Sequence, residues 1–294
     1  MNKVAAVVVT YNRKKLLKLC IEKLLHQTFN TDIIVIDNMS TDGTHEMLKS
    51  FIDNNKIIYH STGKNIGGAG GFYEGIKLAY KLNYEYFWLM DDDCIPTENS
   101  LNQLMKADKE LHSKYGFLCS KVIWSDGNIC KMNIPKTSIR NKNTDFNSHQ
   151  VPIQMGTFVS FLTRREVVEK VGLPIKEFFI WGDDLEYSYR ISRKYPAYLI
   201  NDSVVLHKTA NNEGSNIASD NFQRIDRYKL AYRNESVLFR EMGIKGKIYQ
   251  YSRLLLHSGR IILKAPDHKK ERLNTIFSGM KEGRKFYPKI KKVK

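Results

Sequence analysis

The sequence predicts an α/β fold in which helices cover both faces of a mostly parallel sheet. One reason is that short, β-branched apolar runs alternate with segments that repeat apolar residues at the helical period. The runs predicted to be strands are residues 4–9, 33–36, 57–59 and 86–90. The segments predicted to be helices are residues 14–27, a short helix capped by Thr41 or Asp42, and residues 72–82. A second reason is that polar clusters follow the strands, at the carboxyl ends where such sheets bind ligands.

The second half of the chain is less regular. Residues 123–150 are rich in Asn, Lys, Ser and Thr, which predicts a long excursion over the surface. Residues 155–163 alternate like a strand, residues 185–193 have a helical pattern, and residues 197–200 predict a strand before His207.

Basic residues are concentrated at the carboxyl end. The whole chain has 47 Lys and Arg against 31 Asp and Glu, whereas residues 224–294 have 20 against 6. Such a block attracts phosphate-rich partners, either lipid headgroups or nucleic acid. A nucleic-acid-binding protein is disfavoured because the basic residues are confined to this end, while acidic residues occupy the expected ligand edge.

The cysteines and the apolar runs suggest where the protein works. The four cysteines form no C-x-x-C pair, which excludes a zinc ribbon and a thioredoxin motif: Cys20, Cys94, Cys119 and Cys130. Isolated cysteines are typical of a reducing compartment. Residues 4–9 are too short for a signal peptide, and no apolar run approaches the roughly 20 residues of a membrane-spanning helix. We therefore expect a cytoplasmic protein.

Asp91, Asp92 and Asp93 directly follow the apolar run 86–90. Adjacent carboxylates repel one another unless a cation lies among them, and Mn²⁺ and Mg²⁺ prefer such oxygen ligands. A Walker B strand has the same form, but the sequence lacks the G-x-x-x-x-G-K-[ST] loop that it requires. We predict a divalent metal site, with a solvated acidic turn as the alternative.

The glycine cluster 67–71 predicts a ligand-binding turn before the helix 72–82. A dinucleotide fingerprint is excluded because the cluster does not follow the first strand and Tyr73 replaces the third glycine. Glycine backbone approaches a ligand closely, and the amino end of a helix favours an anion. A merely flexible loop is the alternative.

A second acidic cluster is centred on Asp183 and Asp184. These two residues could cap a helix. They could also supply the base that a sugar transferase needs, beside Trp181 as an aromatic platform for the sugar. His207 is either structural or a neutral imidazole that completes the metal site of the first cluster.

Six motifs in order resemble those of the family-2 inverting glycosyltransferases, especially bacterial galactofuranosyltransferases and rhamnosyltransferases. The motifs are Thr10-Tyr11-Asn12-Arg13, Asp37-Asn38-x-Ser40-x-Asp42-Gly43-Thr44, Asn65 to Phe72, the aspartate triplet, Trp181-Gly182-Asp183-Asp184-x-Glu186-Tyr187 and His207. The resemblance covers about residues 4–208 and implies a GT-A fold, which joins a Rossmann-like nucleotide-binding half to an acceptor-binding half.

The resemblance also implies roles for individual residues. Contacts to the nucleotide sugar are implied or inferred for Thr10, Tyr11, Arg13, Asp37, Asn65, Gly68, Asp91 and Asp92. The implied ligands of Mn²⁺ or Mg²⁺ are Asp91, Asp93 and His207. The acceptor is expected to contact Trp181, Asp183 and Glu186, with Asp184 as the catalytic base. Gly182 departs from related motifs, in which the aspartates often follow the tryptophan directly, and this weakens the role of Trp181.

The expected enzyme transfers a sugar from a UDP- or dTDP-sugar to a glycan or lipid-linked glycan with inversion. We assign residues 1–125 to the nucleotide-sugar half, 126–223 to the acceptor and catalytic half, and 224–294 to a basic helical region. A sugar nucleotidyltransferase is the main alternative, although it usually has a glycine-rich basic loop after the first strand. Homo-oligomerisation is left open.

Residues 244–264 predict an amphipathic helix in which apolar Ile248, Leu255 and Ile262 alternate with basic residues. Such a helix could lie in the interface of an anionic membrane, and the protein would then be peripheral at the inner face of the cell membrane. Packing of the apolar residues on the catalytic domain is the alternative.

Overall fold

The computed structural model describes residues 3–293, and its strands form one mixed sheet. The strands are β1 Val4–Thr10, β2 Asp32–Asp37, β3 Ile58–Ser61, β4 Tyr86–Asp91, β5 Cys94–Pro96, β6 Phe117–Ile123, β7 Gln150–Pro152, β8 Phe161–Arg164 and β9 Ala197–His207. Their order in the sheet is β3-β2-β1-β4-β8-β6-β9-β5, and β7 also pairs with β9.

Helices cover both faces of the sheet and continue beyond it. They are α1 Lys14–Leu25, α2 Thr44–Asp53, α3 Gly67–Lys81, α4 Ser100–Glu110, α5 Arg165–Val171, α6 Asp183–Ser192, α7 Ile225–Glu241, α8 Gly243–Lys264 and α9 Lys269–Lys285. The predicted α/β class is confirmed. Pairing is parallel through β3-β2-β1-β4 and between β6 and β9, and antiparallel where β8, β5 and β7 join their neighbours. Because β8 lies between β4 and β6, the sheet is continuous across the two predicted halves.

Strand β1 lies in the interior of the sheet between β2 and β4, and both of its faces are apolar. Val4, Ala6 and Val8 contribute to one hydrophobic core, with residues of α1, α2 and α4. The alternate residues of the strand contribute to the core on the other face, with residues of α3, α5 and α6. Successive side chains of a strand point to opposite faces, so an uninterrupted apolar run is what a doubly covered strand requires.

The glycine cluster differs from its predicted form, because α3 begins at Gly67 and the cluster is its first turn rather than a turn before it. A Cβ atom on Gly71 would lie 2.4 Å from Cγ1 of Val9, and one on Gly75 would lie 2.3 Å from Cγ1 of Val7. These two glycines therefore let α3 pack closely on β1. The alternative of a flexible loop is also wrong.

Two smaller predictions are corrected by long-range contacts. Helix α2 is preceded by Gly43 with a positive φ, and the carboxylate of Asp42 instead accepts from the first amide of α1, the backbone N–H of Lys14, at 3.0 Å. The strand predicted at 155–163 is confined to β8. Gly156, which precedes it, exchanges hydrogen bonds with the hydroxyl of Ser188 on α6.

The carboxyl-terminal helices have their own hydrophobic cluster, in which α9 lies along α7. The two helices approach closely at glycines of α9: a Cβ atom on Gly279 would lie 2.5 Å from the carbonyl oxygen of Lys229, and one on Gly283 would lie 2.2 Å from Oγ of Ser236. Among residues 3–293, none of the helices combines the length and apolar character needed to cross a bilayer.

Candidate functional site

Three neighbouring strands bring polar residues to one edge of the sheet. Thr10 at the end of β1 pairs with Asp37 of β2, and Val9 pairs with Asp91 of β4. Because these strands are parallel, their carboxyl ends meet at the same edge. The first two motifs and the aspartate triplet are therefore adjacent in space.

Asp91, Asp93 and His207 form a cluster in which one ligand atom from each residue lies within 4.8 Å of the others. Strand β9 pairs His207 with Cys94 of β5, which brings the histidine beside the triplet. Nε2 of His207 donates to Oδ1 of Asp93 at 3.1 Å, and Nδ1 donates to Oδ1 of Asn133 at 2.7 Å. The asparagine thus fixes the orientation in which Nε2 faces the aspartates.

Carboxylates crowd around the imidazole of this cluster and shift the pKa values of its members. Burial and the neighbouring Asp93 raise the pKa of Asp91 to about 8. Burial acts to lower the pKa of His207, but its hydrogen bond to Asp93 and the surrounding carboxylates raise that pKa to about 10. At neutral pH these values place protons on Asp91 and on Nε2 of His207, and a divalent cation would take the place of both protons. The carboxylate oxygens and the imidazole nitrogen that are then freed suit Mn²⁺ and Mg²⁺. These residues fit the predicted metal.

Asp92 makes contacts within the protein, and its predicted contact with the donor stays a prediction. It is buried, and its Oδ2 accepts from Oγ1 of Thr10 at 2.7 Å while Oδ1 accepts from Nη1 of Arg13 at 3.4 Å. Arg13 also forms an ion pair with Asp93. Thr10 is itself 2% exposed, and its contact with the nucleotide sugar also stays a prediction. Asp92 and Thr10 hold the loop after β1 against the triplet.

Asp37 and Asn65 also shape the site through protein contacts. The carboxylate of Asp37 is 1% exposed and accepts from the backbone N–H of Ser40 at 2.9 Å and from the hydroxyl of Tyr59 at 2.8 Å. A contact of Asp37 with the nucleotide stays a prediction. Oδ1 of Asn65 accepts from the backbone N–H of Gly67 at 2.9 Å, which orders the first turn of α3.

Three of the predicted nucleotide-sugar residues remain open to a ligand. Tyr11 is 44% exposed, the side chain of Arg13 is half exposed, and the space beside Gly68 is free of other atoms out to 4 Å from a Cβ position. The guanidinium of Arg13 contacts Asp93, the ring of Tyr11 precedes it in the same loop, and Gly68 leaves the backbone uncovered at the start of α3. Contacts of these groups with a nucleotide stay predictions.

The second acidic cluster begins α6, as predicted. Burial and the charge of Asp184 raise the pKa of Asp183 well above its ordinary value, and the charge of Asp91 adds to this effect. Burial raises the pKa of Asp184 to about 6, opposed by the N–H of Leu185 and by the charge of Lys136. A carboxylate with this pKa is suited to accept a proton near neutral pH.

Glu186 makes its contacts within the protein, and its predicted contact with the acceptor stays a prediction. Its side chain is 0% exposed and forms an ion pair with Arg190 on the next turn of α6, with both carboxylate oxygens accepting from the guanidinium at 2.7 and 3.0 Å. Arg190 also donates to the carbonyl oxygens of Val171 and Leu173. Glu186 is therefore a structural residue that ties α6 to the end of α5.

Trp181 lies between the second acidic cluster and the carboxyl-terminal helices. Its ring contacts Tyr228 of α7 edge to face, with 4.9 Å between the ring centroids. The ring is only partly buried, so one side remains available, and its contact with an acceptor stays a prediction.

Two residues of the site were missed because they belong to the polar excursion 123–150. Asn133 orients His207, and the half-buried Lys136 interacts electrostatically with Asp184 and with Arg253 on α8. Burial, followed by the charge of Arg253, lowers the pKa of Lys136. No motif or spacing marks either residue, because both are brought to the site only by the path of an irregular loop.

Residues 5–172, more than half of the chain, match Glycosyl transferase family 2. The chain belongs to this family. The resemblance given by the six motifs is therefore confirmed, and the family supports a glycosyltransferase.

One curated relative and two solved structures extend this comparison. The galactofuranosyltransferase GlfT1 of Mycolicibacterium smegmatis is 25% identical over 207 residues, which are 65% of this chain and 65% of that protein. The chain thus spans just under two thirds of that relative. Staphylococcus aureus TarS 1–349 in complex with UDP has a TM-score of 0.57 at 14% identity, over 97% of this chain and 72% of that one. GalNAc-T7 with UDP, GalNAc and Mn²⁺ has a TM-score of 0.65 at 16% identity, over 97% of this chain and 56% of that one. These two likenesses confirm the GT-A fold.

Proposed function

We propose that this chain is an inverting, metal-dependent glycosyltransferase that moves a hexose from a UDP- or dTDP-sugar to a hydroxyl of a glycan or lipid-linked glycan. The observation that carries the proposal is that an acidic cluster suited to a metal ion lies close to a second acidic cluster that contains the proposed base. The cluster of Asp91, Asp93 and His207 is suited to a divalent cation, and its Asp91 is close enough to raise the pKa of Asp183, which is adjacent to the proposed base Asp184.

Galactofuranose is the favoured sugar and rhamnose the second choice. The first rests on the likeness to the mycobacterial galactofuranosyltransferase, and both rest on the six motifs. UDP in the TarS and GalNAc-T7 structures supports UDP as the nucleotide. The ring of Tyr11, exposed at the end of β1, is suited to stack on a base, and Arg13 is suited to bind a phosphate.

Asp91, Asp93 and His207 would hold Mn²⁺ or Mg²⁺, with Asn133 maintaining the orientation of the histidine. Such a cation supplies a Lewis acid for the negative charge of the donor diphosphate. Arg13, which bridges Asp92 and Asp93, contributes a second positive charge at this position.

The transfer is a single displacement. Asp184 takes the proton of the acceptor hydroxyl, and the oxygen forms a bond to the anomeric carbon of the donor. The bond from that carbon to the diphosphate breaks on the opposite side, and its electron pair leaves with the nucleoside diphosphate. The configuration inverts, and no covalent intermediate with the enzyme forms. A pKa of about 6 leaves Asp184 ionised and ready to act at neutral pH.

A panel of sugar nucleotides tests the proposal. We expect UDP-galactofuranose or a related UDP- or dTDP-sugar to raise the melting temperature in the presence of Mn²⁺, and expect UDP or dTDP to be released. Asp93→Ala should abolish both effects, whereas Asp53→Ala, which removes an exposed carboxylate at the end of α2, should preserve them. Release of pyrophosphate would indicate a nucleotidyltransferase, and full activity in excess EDTA would contradict the metal site.

We further propose that α8 binds an anionic membrane surface, at the inner face of the cell membrane. The apolar residues of the predicted amphipathic helix are exposed rather than packed on the domain: Ile248 is 56%, Leu255 74% and Ile262 56% exposed. Other exposed apolar residues of α8 are Ile244, Tyr251, Leu256 and Leu263. Basic residues flank this surface, as an anionic interface requires.

Binding to vesicles of phosphatidylglycerol and phosphatidylcholine tests the surface of α8. Deletion of residues 244–294 is unsuitable because it would also remove α9, which covers α7. The double variant Leu255→Ser, Leu263→Ser should lose binding, because both side chains are more than 70% exposed and their loss leaves the fold intact. Leu82→Ser, at the end of α3, is a matched exposed control. Equal recovery of the α8 variant and the parent with the vesicles would contradict the proposal.

A further inference from the structure

The loop before the proposed base has an unusual backbone. Phe179 has φ 64° and ψ −59°, and the N–H of Ile180 donates to the carbonyl oxygen of Phe178 at 2.7 Å, which closes a γ-turn around it. Trp181 also has a positive φ, of 65°. Such conformations cost on the order of 1–3 kcal/mol each in residues other than glycine, and persist only where surrounding contacts enforce them.

One side chain of α7 provides most of those contacts. Nδ2 of Asn234 donates to the carbonyl oxygens of Phe178 at 3.0 Å, Ile180 at 3.1 Å and Trp181 at 2.8 Å. The side chain is 0% exposed, so no water competes for these bonds. A single amide therefore gathers three carbonyl groups of the strained loop.

The other end of the same amide is also fixed. Oδ1 of Asn234 accepts from Nε and Nη2 of Arg233 at 3.0 and 2.9 Å. Nη2 of Arg233 in turn donates to the carbonyl oxygens of Glu177 at 2.8 Å and Phe178 at 3.2 Å. These contacts determine which end of the amide faces the loop, so the side chain acts as a donor towards it.

The loop also contacts the first turn of α3, in the half of the chain that we expect to bind the nucleotide sugar. The carbonyl oxygen of Phe179 accepts from the N–H of Ala69 in the first turn of α3 at 3.2 Å. A Cβ atom on Gly67 would lie 2.0 Å from the same oxygen, so only glycine allows this approach. The strained loop is thus held between the glycine cluster on one side and Asn234 on the other.

We propose that Asn234 is a positioning residue for the base, and that α7 is consequently part of the catalytic apparatus. The inference rests on the proposed function, because it concerns the placement of Asp184. Gly182 ends the loop and its carbonyl oxygen accepts from the N–H of Glu186 at 2.9 Å in the first turn of α6. The three carbonyl bonds therefore determine where α6 begins and where it directs Asp184.

The test is Asn234→Asp, which keeps the size of the side chain and the acceptor for Arg233 but replaces the amide donor with an oxygen. Turnover, measured as UDP release from UDP-galactofuranose with water as nucleophile, should fall by about 10²-fold, because displacement of a reacting group by about 1 Å costs that much. Turnover is expressed per Mn²⁺–UDP binding site, counted by calorimetry, so that unfolded protein does not contribute. Affinity for Mn²⁺–UDP should change less than threefold, because no metal ligand contacts Asn234.

Tyr232→Phe is the matched control, since it removes one hydrogen bond of α7, to His257 at 2.8 Å, without contacting the loop. It should retain turnover, and the acidic limb of its pH profile should stay near that of the parent. In Asn234→Asp, by contrast, the apparent pKa of this acidic limb should differ from that of the parent. Parent-like turnover and pH profile in Asn234→Asp would overturn the positioning role. If Asp184→Asn, measured in parallel, also turned over normally, the proposed base itself would be wrong.

Discussion

Helices α7 and α8 are consecutive in the chain and have different surroundings. Helix α7 buries eight side chains or backbone positions along its length, among them Asn234 and Leu238, whereas α8 buries only Gly246 and Ile261. Helix α9 packs closely on α7 at Lys229 and Ser236, while the apolar side of α8 is left open. We infer from this difference that α7 supports the site, whereas α8 provides an exposed binding surface.

The basic carboxyl-terminal region does not behave as one uniform unit. Its composition suggests one membrane-binding appendage, yet α7 forms hydrogen bonds with the loop that leads to Asp184. Within residues 225–285, α8 has seven exposed large apolar side chains, α9 has one and α7 has none, so α8 has the apolar side that a lipid interface requires. Catalysis and membrane binding should therefore be separable by substitutions in adjacent helices.

A leucine-to-alanine substitution should change the free energy of unfolding much more in α7 than in α8, and this is the largest effect that we expect. Leu238→Ala in α7 removes a side chain that is 4% exposed and should lower the free energy of unfolding by about 2–5 kcal/mol. Leu255→Ala in α8 removes one that is 74% exposed and should change it by less than about 0.5 kcal/mol. Urea unfolding followed by circular dichroism measures both, and similar losses in the two variants would remove the distinction between the helices.

Acidification should affect the two tasks differently. The pKa of Asp184 is raised to about 6, and the base must be ionised, so turnover should fall as the pH decreases through 6. The limiting slope is about tenfold per pH unit. Lysine and arginine side chains keep their charge between pH 5 and 8, so vesicle binding by α8 should remain constant. Turnover that is level down to pH 5 would show that no group with this pKa acts as the base.

Charge substitutions on α8 should have the smallest effects. Lys245 and Arg260 are exposed, and each contributes about 1 kcal/mol near an anionic surface. Lys245→Gln and Arg260→Gln should each weaken binding to anionic vesicles about fivefold at low salt, and less at high salt. UDP release should not change. Parent-like binding of both variants at low salt would mean that these charges do not face the lipid.

Much of the catalytic edge could be predicted because it depends on local patterns. The apolar runs before Thr10, Asp37 and Asp91 predict where the strands end, and parallel pairing then brings these ends together. The sequence does not predict the direction in which each side chain points. Asp92 is adjacent in sequence to two proposed metal ligands but accepts from Thr10, a residue of another strand.

The residues that sequence reasoning missed are positioned by tertiary contacts. Asn133 lies in an irregular loop and Asn234 in the middle of a helix, where asparagine has no characteristic pattern. The glycine cluster predicts ligand binding, and the structure shows in addition that Gly71 in the cluster, and Gly75 after it, allow α3 to pack closely on β1. The sequence shows where glycines cluster, but only the fold shows which side chains lie against them.

The turnover of Asp184→Asn is the most direct test of the proposed mechanism. The amide keeps the shape of the side chain and cannot accept the proton of the acceptor hydroxyl. Turnover should therefore fall by roughly 10²–10⁴-fold. Affinity for Mn²⁺–UDP should be retained, because the cluster of Asp91, Asp93 and His207 is unchanged. Parent-like turnover would contradict the role of Asp184 as the base, and loss of Mn²⁺–UDP affinity would make it a donor-binding residue instead.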